Sequence, residues 1–178
     1  MDYRENEIKV LDVDAAALEG RLLQMGASKV YDDIRVITTY DTADRTLRRS
    51  GKLVRITEEG AVKVSMHVGR DPETRDVIKY KASRFEEQQR FLLELGFSPI
   101  AQVSARRISF ELDGRDFDID FFPGIPSFME IDVENLSQAA LDDLLEKLGV
   151  RSNKIVKLGT EEIHSLYGVD YFETYKIA

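Results

Sequence analysis

The chain has 178 residues, 43% of them hydrophobic and 33% charged, with a net charge of −8, which is enough for one globular domain with its own core. The acidity disfavours a sequence-independent grip on nucleic-acid phosphates, the lack of cysteine excludes disulfides and thiolate metal sites, and two histidines, His67 and His164, are too few for an ordinary zinc cage. No run of about twenty apolar residues and no signal-like leader occurs, so the expectation is a cytoplasmic protein that binds neither nucleic acid nor membrane.

In chain order, ENEIKVLDV alternates Glu5, Glu7 and Lys9 with Asn6, Ile8 and Val10, as a strand with one charged and one apolar face would. A helix follows, capped by Asp14, striped by Leu18, Leu22 and Met25 and stopped at Gly26. KLVRIT sets Arg55 and Thr57 against Val54 and Ile56; AVKVSMH sets Lys63, Ser65 and His67 against Val62, Val64 and Met66. After a turn-rich loop over 69–76, Ser83 and Glu86 form a capping box for a second helix carrying Leu92 and Leu95 and ending at Gly96. The endings LLQMGASKV and LLELGFSPI echo each other, consistent with two similar strand and helix halves.

VSARRISFEL then opposes Arg107, Ser109 and Glu111 to Ile108, Phe110 and Leu112, which sends Arg106 to the other face from Arg107. RDFDIDF alternates Asp116, Asp118 and Asp120 with Phe117, Ile119 and Phe121; FMEIDVE alternates Glu130, Asp132 and Glu134 with Met129, Ile131 and Val133. Ser137 opens a third helix, with Leu141, Leu144, Leu145 and Leu148 ahead of Gly149, and Thr160 caps a short fourth one ending at Gly168. His164 reads as structural, and the tail YFETYK as a packing strap.

Charge on one face of a strand ordinarily marks an antiparallel sheet with one wet side. Here six strands share the pattern, with carboxylates on the first and last and cations between them. A closed barrel whose apolar outside is covered by helices would place the charges inside, around something that neutralises them. Metal ions suit the carboxylates, and a polyanion suits the arginines and lysines.

These residues carry a resemblance. Glu5-Asn6-Glu7-Ile8-Lys9 is similar to the ExExK signature of the CYTH superfamily, the triphosphate tunnel metalloenzymes. In the same order follow Tyr40-Asp41-Thr42, Gly51 with Val54-Arg55-Ile56, Arg106-Arg107 with Phe110, Asp120, and Phe128 with Glu130-Ile131-Asp132. The resemblance implies an α+β fold in which a closed antiparallel eight-stranded β-barrel, the triphosphate tunnel, has helices packed on its outside. It also implies one CYTH-like domain over 1–178, with a core to about 168 and a tail over 169–178. Carried over, Glu5, Glu7, Glu130, Asp132 and Asp120 become carboxylates for Mg2+ or Mn2+. Lys9, Arg55, Lys63, His67 and Arg107 become phosphate contacts, and Lys9 and Glu7 the candidate catalytic pair.

The chain also departs from the family. Thr57, His67 and Ala105 stand where the family has cations, and the strand after the loop carries Arg75, Val77 and Lys79, with a base where a carboxylate is usual. Lys63, Lys79 and Lys81 are candidates to restore the charge, and His67 would contact phosphate only when protonated. Three functions fit: hydrolysis of a triphosphate such as tripolyphosphate, ATP or thiamine triphosphate; cyclisation of ATP by a class IV-type adenylyl cyclase; and non-catalytic binding of a nucleotide or polyphosphate. Hydrolysis ranks first because it demands the fewest additional positioned groups. A homodimer is the other partner arrangement considered.

Overall fold

A computed structural model describes residues 6–69 and 76–177, so Glu5 and Arg75 lie outside the described residues. The elements are β1 (Glu7–Val10), α1 (Ala15–Gln24), β2 (Ser28–Asp41), α2 (Thr46–Arg49), β3 (Lys52–Glu59), β4 (Ala61–Val68), β5 (Asp76–Ala82) and α3 (Phe85–Glu94). There follow β6 (Ser98–Leu112), β7 (Arg115–Phe121), β8 (Phe128–Asp132), α4 (Gln138–Lys147), β9 (Ile155–Val156), α5 (Thr160–Leu166) and α6 (Tyr171–Thr174). The strands form one antiparallel sheet in the order β5-β4-β3-β2-β6-β7-β8-β1-β9. The class is α+β, as expected. Among the described residues the strand number is nine and not eight, and the sheet is not closed by hydrogen bonds. The edge of β1 away from β8 is taken by β9, through Lys9↔Val156 and Val10↔Ile155. Among the described residues no helix is long and apolar enough to cross a membrane.

The chain packs as two compact units, with boundaries inside β2 and β6. The β1 unit comprises 6–33 and 106–158. Its core is the apolar half of the alternation. Ile8 and Val10 of β1, Ile108 and Phe110 of β6, Phe117 and Ile119 of β7, and Met129 and Ile131 of β8 pack with Leu18 and Leu22 of α1 and Leu145 and Leu148 of α4. Each such side chain, fully buried, contributes roughly 1.5–3 kcal/mol of transfer free energy. The helix starts follow from their caps: the Asp14 carboxylate accepts from the Ala17 N–H at 3.1 Å and the Ser137 hydroxyl from the Ala140 N–H at 3.3 Å.

The β3 unit comprises the described residues of 34–105 and 159–177. Tyr40, Val54, Ile56 and Val64 form its core with Leu92 of α3, flanked by Phe85 and Phe97. The expected Ser83–Glu86 capping box does not form. Arg84 is the N-cap, and the Ser83 hydroxyl donates instead to the Glu87 carboxylate at 3.3 Å, so the helix begins one residue later. Similarly, Thr160 is the first residue of α5 and Gly159 its cap. The tail is a strap, as expected: His164, Tyr171 and Tyr175 meet edge to face with centroids 5.0–5.5 Å apart, and the Gln102 N–H donates to the Tyr175 carbonyl at 2.8 Å. His164 is fully buried, its Nδ1 2.7 Å from the Thr160 carbonyl and its Nε2 3.1 Å from the Tyr175 hydroxyl; burial lowers its pKa.

Candidate functional site

In the β1 unit the pairing of four strands assembles one ion cluster. Arg107 lies opposite Asp120, and Glu130 lies opposite both Asp118 and Lys9, so all five side chains share the face away from the core. The Arg107 guanidinium grips Asp120 through both oxygens, at 2.7 Å from Nε and 2.6 Å from Nη2. It also reaches Asp118 at 2.5 Å and Glu130 at 2.6 Å. The Lys9 ammonium stands between Glu130 at 3.5 Å and Glu7 at 3.6 Å. Arg107 and Lys9 are 7% and 6% exposed and Asp120 not at all, so these three charges are secluded from water.

Seclusion sets the electrostatics. Burial pushes the Arg107 guanidinium down, but Asp120, Asp118 and Glu130 together outweigh it and hold its pKa well above the ordinary value. Burial raises the Asp118 carboxyl; Arg107 offsets part of that, and Glu130 adds to it by repulsion. Asp132 faces Glu7 across the β1–β8 ladder, yet its carboxylate accepts from the Glu134 N–H at 2.8 Å and stands outside the Arg107 cluster.

Hard oxygen donors with some solvent access suit Mg2+ or Mn2+. Glu130 and Glu7 fit, being partly exposed and both within reach of the Lys9 ammonium; Asp120, buried with both oxygens on Arg107, does not. Among the described residues no three carboxylates are grouped as a metal cage.

In the β3 unit, Arg55 lies across the ladder from Thr39 on one side and Ser65 on the other, with Lys79 beyond Ser65. Its guanidinium is held by the Glu161 carboxylate of α5. Tyr171 closes over the same place. Burial pushes its phenol up to about 12, against the pull of Arg55. Thr57 sits between Ile37 and Lys63, and Lys63 sits opposite Lys81, so one lysine neighbours the position where the family has its second cation and another lies one strand beyond. Lys63 pairs with Glu59 at 3.3 Å. His67 is 7% exposed between Leu53 and Val77 and lines a cavity of about 910 Å3 with α2, Lys52, Glu161, Glu162 and Phe172. Ala105 is fully packed, with 1% exposure.

Of the sequence-derived candidates, Glu7, Lys9, Arg107, Asp120 and Glu130 therefore meet in one cluster, and Arg55, Lys63 and His67 lie on one face of the β3 unit. Sequence reasoning did not single out Asp118, Glu161 or Tyr171. Asp118 was legible from its two-residue spacing to Asp120. Glu161 and Tyr171 carried no local signal, since only the fold of the last twenty residues brings them to Arg55.

No family model matches the sequence, and no curated protein is similar enough to match it. Solved structures do match. A candidate adenylate cyclase from Vibrio parahaemolyticus superposes with a TM-score of 0.72 at 19% identity, over 89% of this chain and 96% of that one. A candidate adenylate cyclase from Bacillus halodurans gives 0.62 at 14% identity, over 93% and 97%. A candidate adenylyl cyclase from Hippeastrum that has a dominant triphosphatase activity gives 0.64 at 13% identity, over 92% and 95%. These likenesses extend over nearly the whole of each chain, and the order of the sequence signatures agrees with them: the chain has the fold of the CYTH, or triphosphate tunnel, proteins.

Proposed function

We propose that the chain is a divalent-metal-dependent phosphohydrolase that acts on a triphosphate as one CYTH-like domain. The observation that carries the reading is the secluded Arg107 cluster with Lys9 poised between Glu7 and Glu130. Carboxylates packed this closely need cations, and in the absence of a ligand the protein supplies its own. Mg2+ or Mn2+, when bound, supplies neutralisation of phosphate charge and Lewis-acid polarisation of a phosphoryl oxygen. Glu7 and Glu130, with Asp132 opposite Glu7, would hold it. Lys9, once released from those carboxylates, contributes a compact, movable positive charge to a phosphate. Arg107 offers a planar fork suited to two phosphate oxygens, kept in place by Asp120. Within the β3 unit, Arg55 is a further candidate phosphate donor, exchanging Glu161 for phosphate. Glu7 accepts the proton of the attacking water.

A second reading is cyclisation of ATP, favoured by the three neighbours described as candidate adenylate cyclases, one of which has a dominant triphosphatase activity. The test is a turnover panel of tripolyphosphate, ATP and thiamine triphosphate with Mg2+ or Mn2+, scoring phosphate, pyrophosphate and cyclic nucleotide separately. Phosphate release is the expected result. Pyrophosphate with cyclic AMP establishes the cyclase, and tight binding without products leaves a binding module.

A further inference from the structure

The β3 unit contains a cavity of about 910 Å3 that the reading above does not use. Its wall carries Arg45, Arg48 and Arg49 from the α2 turn, Lys52 from the start of β3, His67 from the end of β4, and Glu161, Glu162 and Phe172 from the C-terminal helices. Four permanent cations thus meet two carboxylates, and one of those, Glu161, is already held by Arg55. In an acidic chain of net charge −8 this is a concentrated positive surface.

The cations are presented by a braced turn. The carboxylate of Asp41, fully buried, accepts from the N–H groups of Thr42 at 2.7 Å, Leu47 at 2.9 Å and Arg48 at 3.2 Å. Thr42 and Thr46 hydroxyls donate to Asp44 at 2.7 and 2.8 Å, and Asp44 in turn receives Arg49 at 2.8 Å. Arg45 adopts the left-handed conformation, φ 61°, which favours glycine or asparagine, yet a cation occupies it. The Arg48 guanidinium lies 3.5 Å above the Phe172 ring, which immobilises its plane while leaving its N–H edges to donate.

The cavity adjoins Arg55. Leu53, in the cavity wall, is two residues from Arg55 on the same strand face, about 7 Å at strand rise. Glu161 touches both, pairing with Arg55 and lining the cavity. We propose that this cavity is an anion subsite contiguous with Arg55, in which Arg45, Arg48, Arg49 and Lys52 receive the phosphate groups of a linear polyanion beyond those Arg55 holds. The inference rests on the triphosphate reading for the role of Arg55 and adds the residues that set the ligand's length and charge. A ligand with a cationic far end, such as thiamine triphosphate, is disfavoured there by like charge.

The test is calorimetric binding of pyrophosphate, tripolyphosphate and tetrapolyphosphate in Mg2+ at several ionic strengths, to the wild type, Arg45→Ala, Lys52→Ala, the combined variant and Lys52→Arg. Expected is a loss of about three- to tenfold per removed exposed cation for tetrapolyphosphate, a smaller loss for pyrophosphate, a shallower salt dependence, and retention by Lys52→Arg. Equal losses for all chain lengths, no loss in the combined variant, or no polyphosphate binding by the wild type overturns the subsite. Wild-type turnover of tripolyphosphate is read in parallel. Its absence with Lys52-dependent binding intact removes the hydrolase and keeps the subsite; turnover unaffected in the combined variant at every chain length and concentration removes the subsite and keeps the hydrolase.

Discussion

Arg107 holds three carboxylates from two neighbouring strands, and Asp120 depends on it for both of its oxygens. Removing one partner of a buried ion group costs more than the group contributes, because the other charges stay buried. Arg107→Met should therefore lose about 3–5 kcal/mol in urea unfolding, and adding Asp120→Asn should recover part of it. A loss under about 1 kcal/mol would mean that water reaches Asp120. Tyr171 gives a pH dependence. Its folded pKa of about 12 lies above the ordinary 10, so the folded state resists losing this proton. The stability this contributes is present below pH 10 and declines as pH rises towards 12, by at most about 3 kcal/mol. Tyr171→Phe removes the ionisable group, so in urea unfolding it should lose less stability than the wild type between pH 10 and 12.

At the scale of elements, α1 and α3 each end in the same Leu-Leu-x-x-Gly pattern, with Gly26 at φ 92° and Gly96 at φ 86°. A Cβ added at either would meet nothing within 4 Å, so the cost of alanine there is backbone conformation alone. Gly26→Ala and Gly96→Ala should each destabilise by about 1 kcal/mol in thermal unfolding, and their effects should add. A cost at one site several times that at the other would show that the two halves end their helices differently. The strand alternation was legible in the same way, because a period of two on β6, β7 and β8 dictates which residues reach the core whatever the sheet pairs with. The four-residue α2 was not. Its apolar content is one leucine, and what holds it is a buried carboxylate, Asp41, whose partners are backbone N–H groups up to seven residues away.

For the whole molecule, the proposed function predicts that a divalent cation binds the folded state. Glu7 and Glu130 share one lysine, and Asp118 is raised by burial and by Glu130. Under the proposed function, Mn2+ at about a hundred times its dissociation constant should stabilise the fold by about 2.7 kcal/mol. The rise in melting temperature should shrink in Glu7→Gln and Glu130→Gln and persist in Glu19→Gln, a surface partner of Lys29. An equal rise in all three variants would place the ion elsewhere.

The sequence by itself determined the face of each strand, the existence of the main helices, the grouping of charged residues on one face of single strands and the order of signatures that matches the fold. Each of these depends on spacing between neighbours along the chain, which periodicity and capping chemistry set locally. Tertiary structure alone decided which charges meet. That Asp120 is committed to Arg107 while Glu130 is shared with Lys9, that Glu161 and Tyr171 arrive at Arg55, and that β9 takes the edge of β1 are consequences of register and of contacts between segments far apart in the chain, 106 residues in the case of Arg55 and Glu161. A residue's alternation fixes its side of the sheet; its partner depends on which strand, at which register, comes to lie alongside.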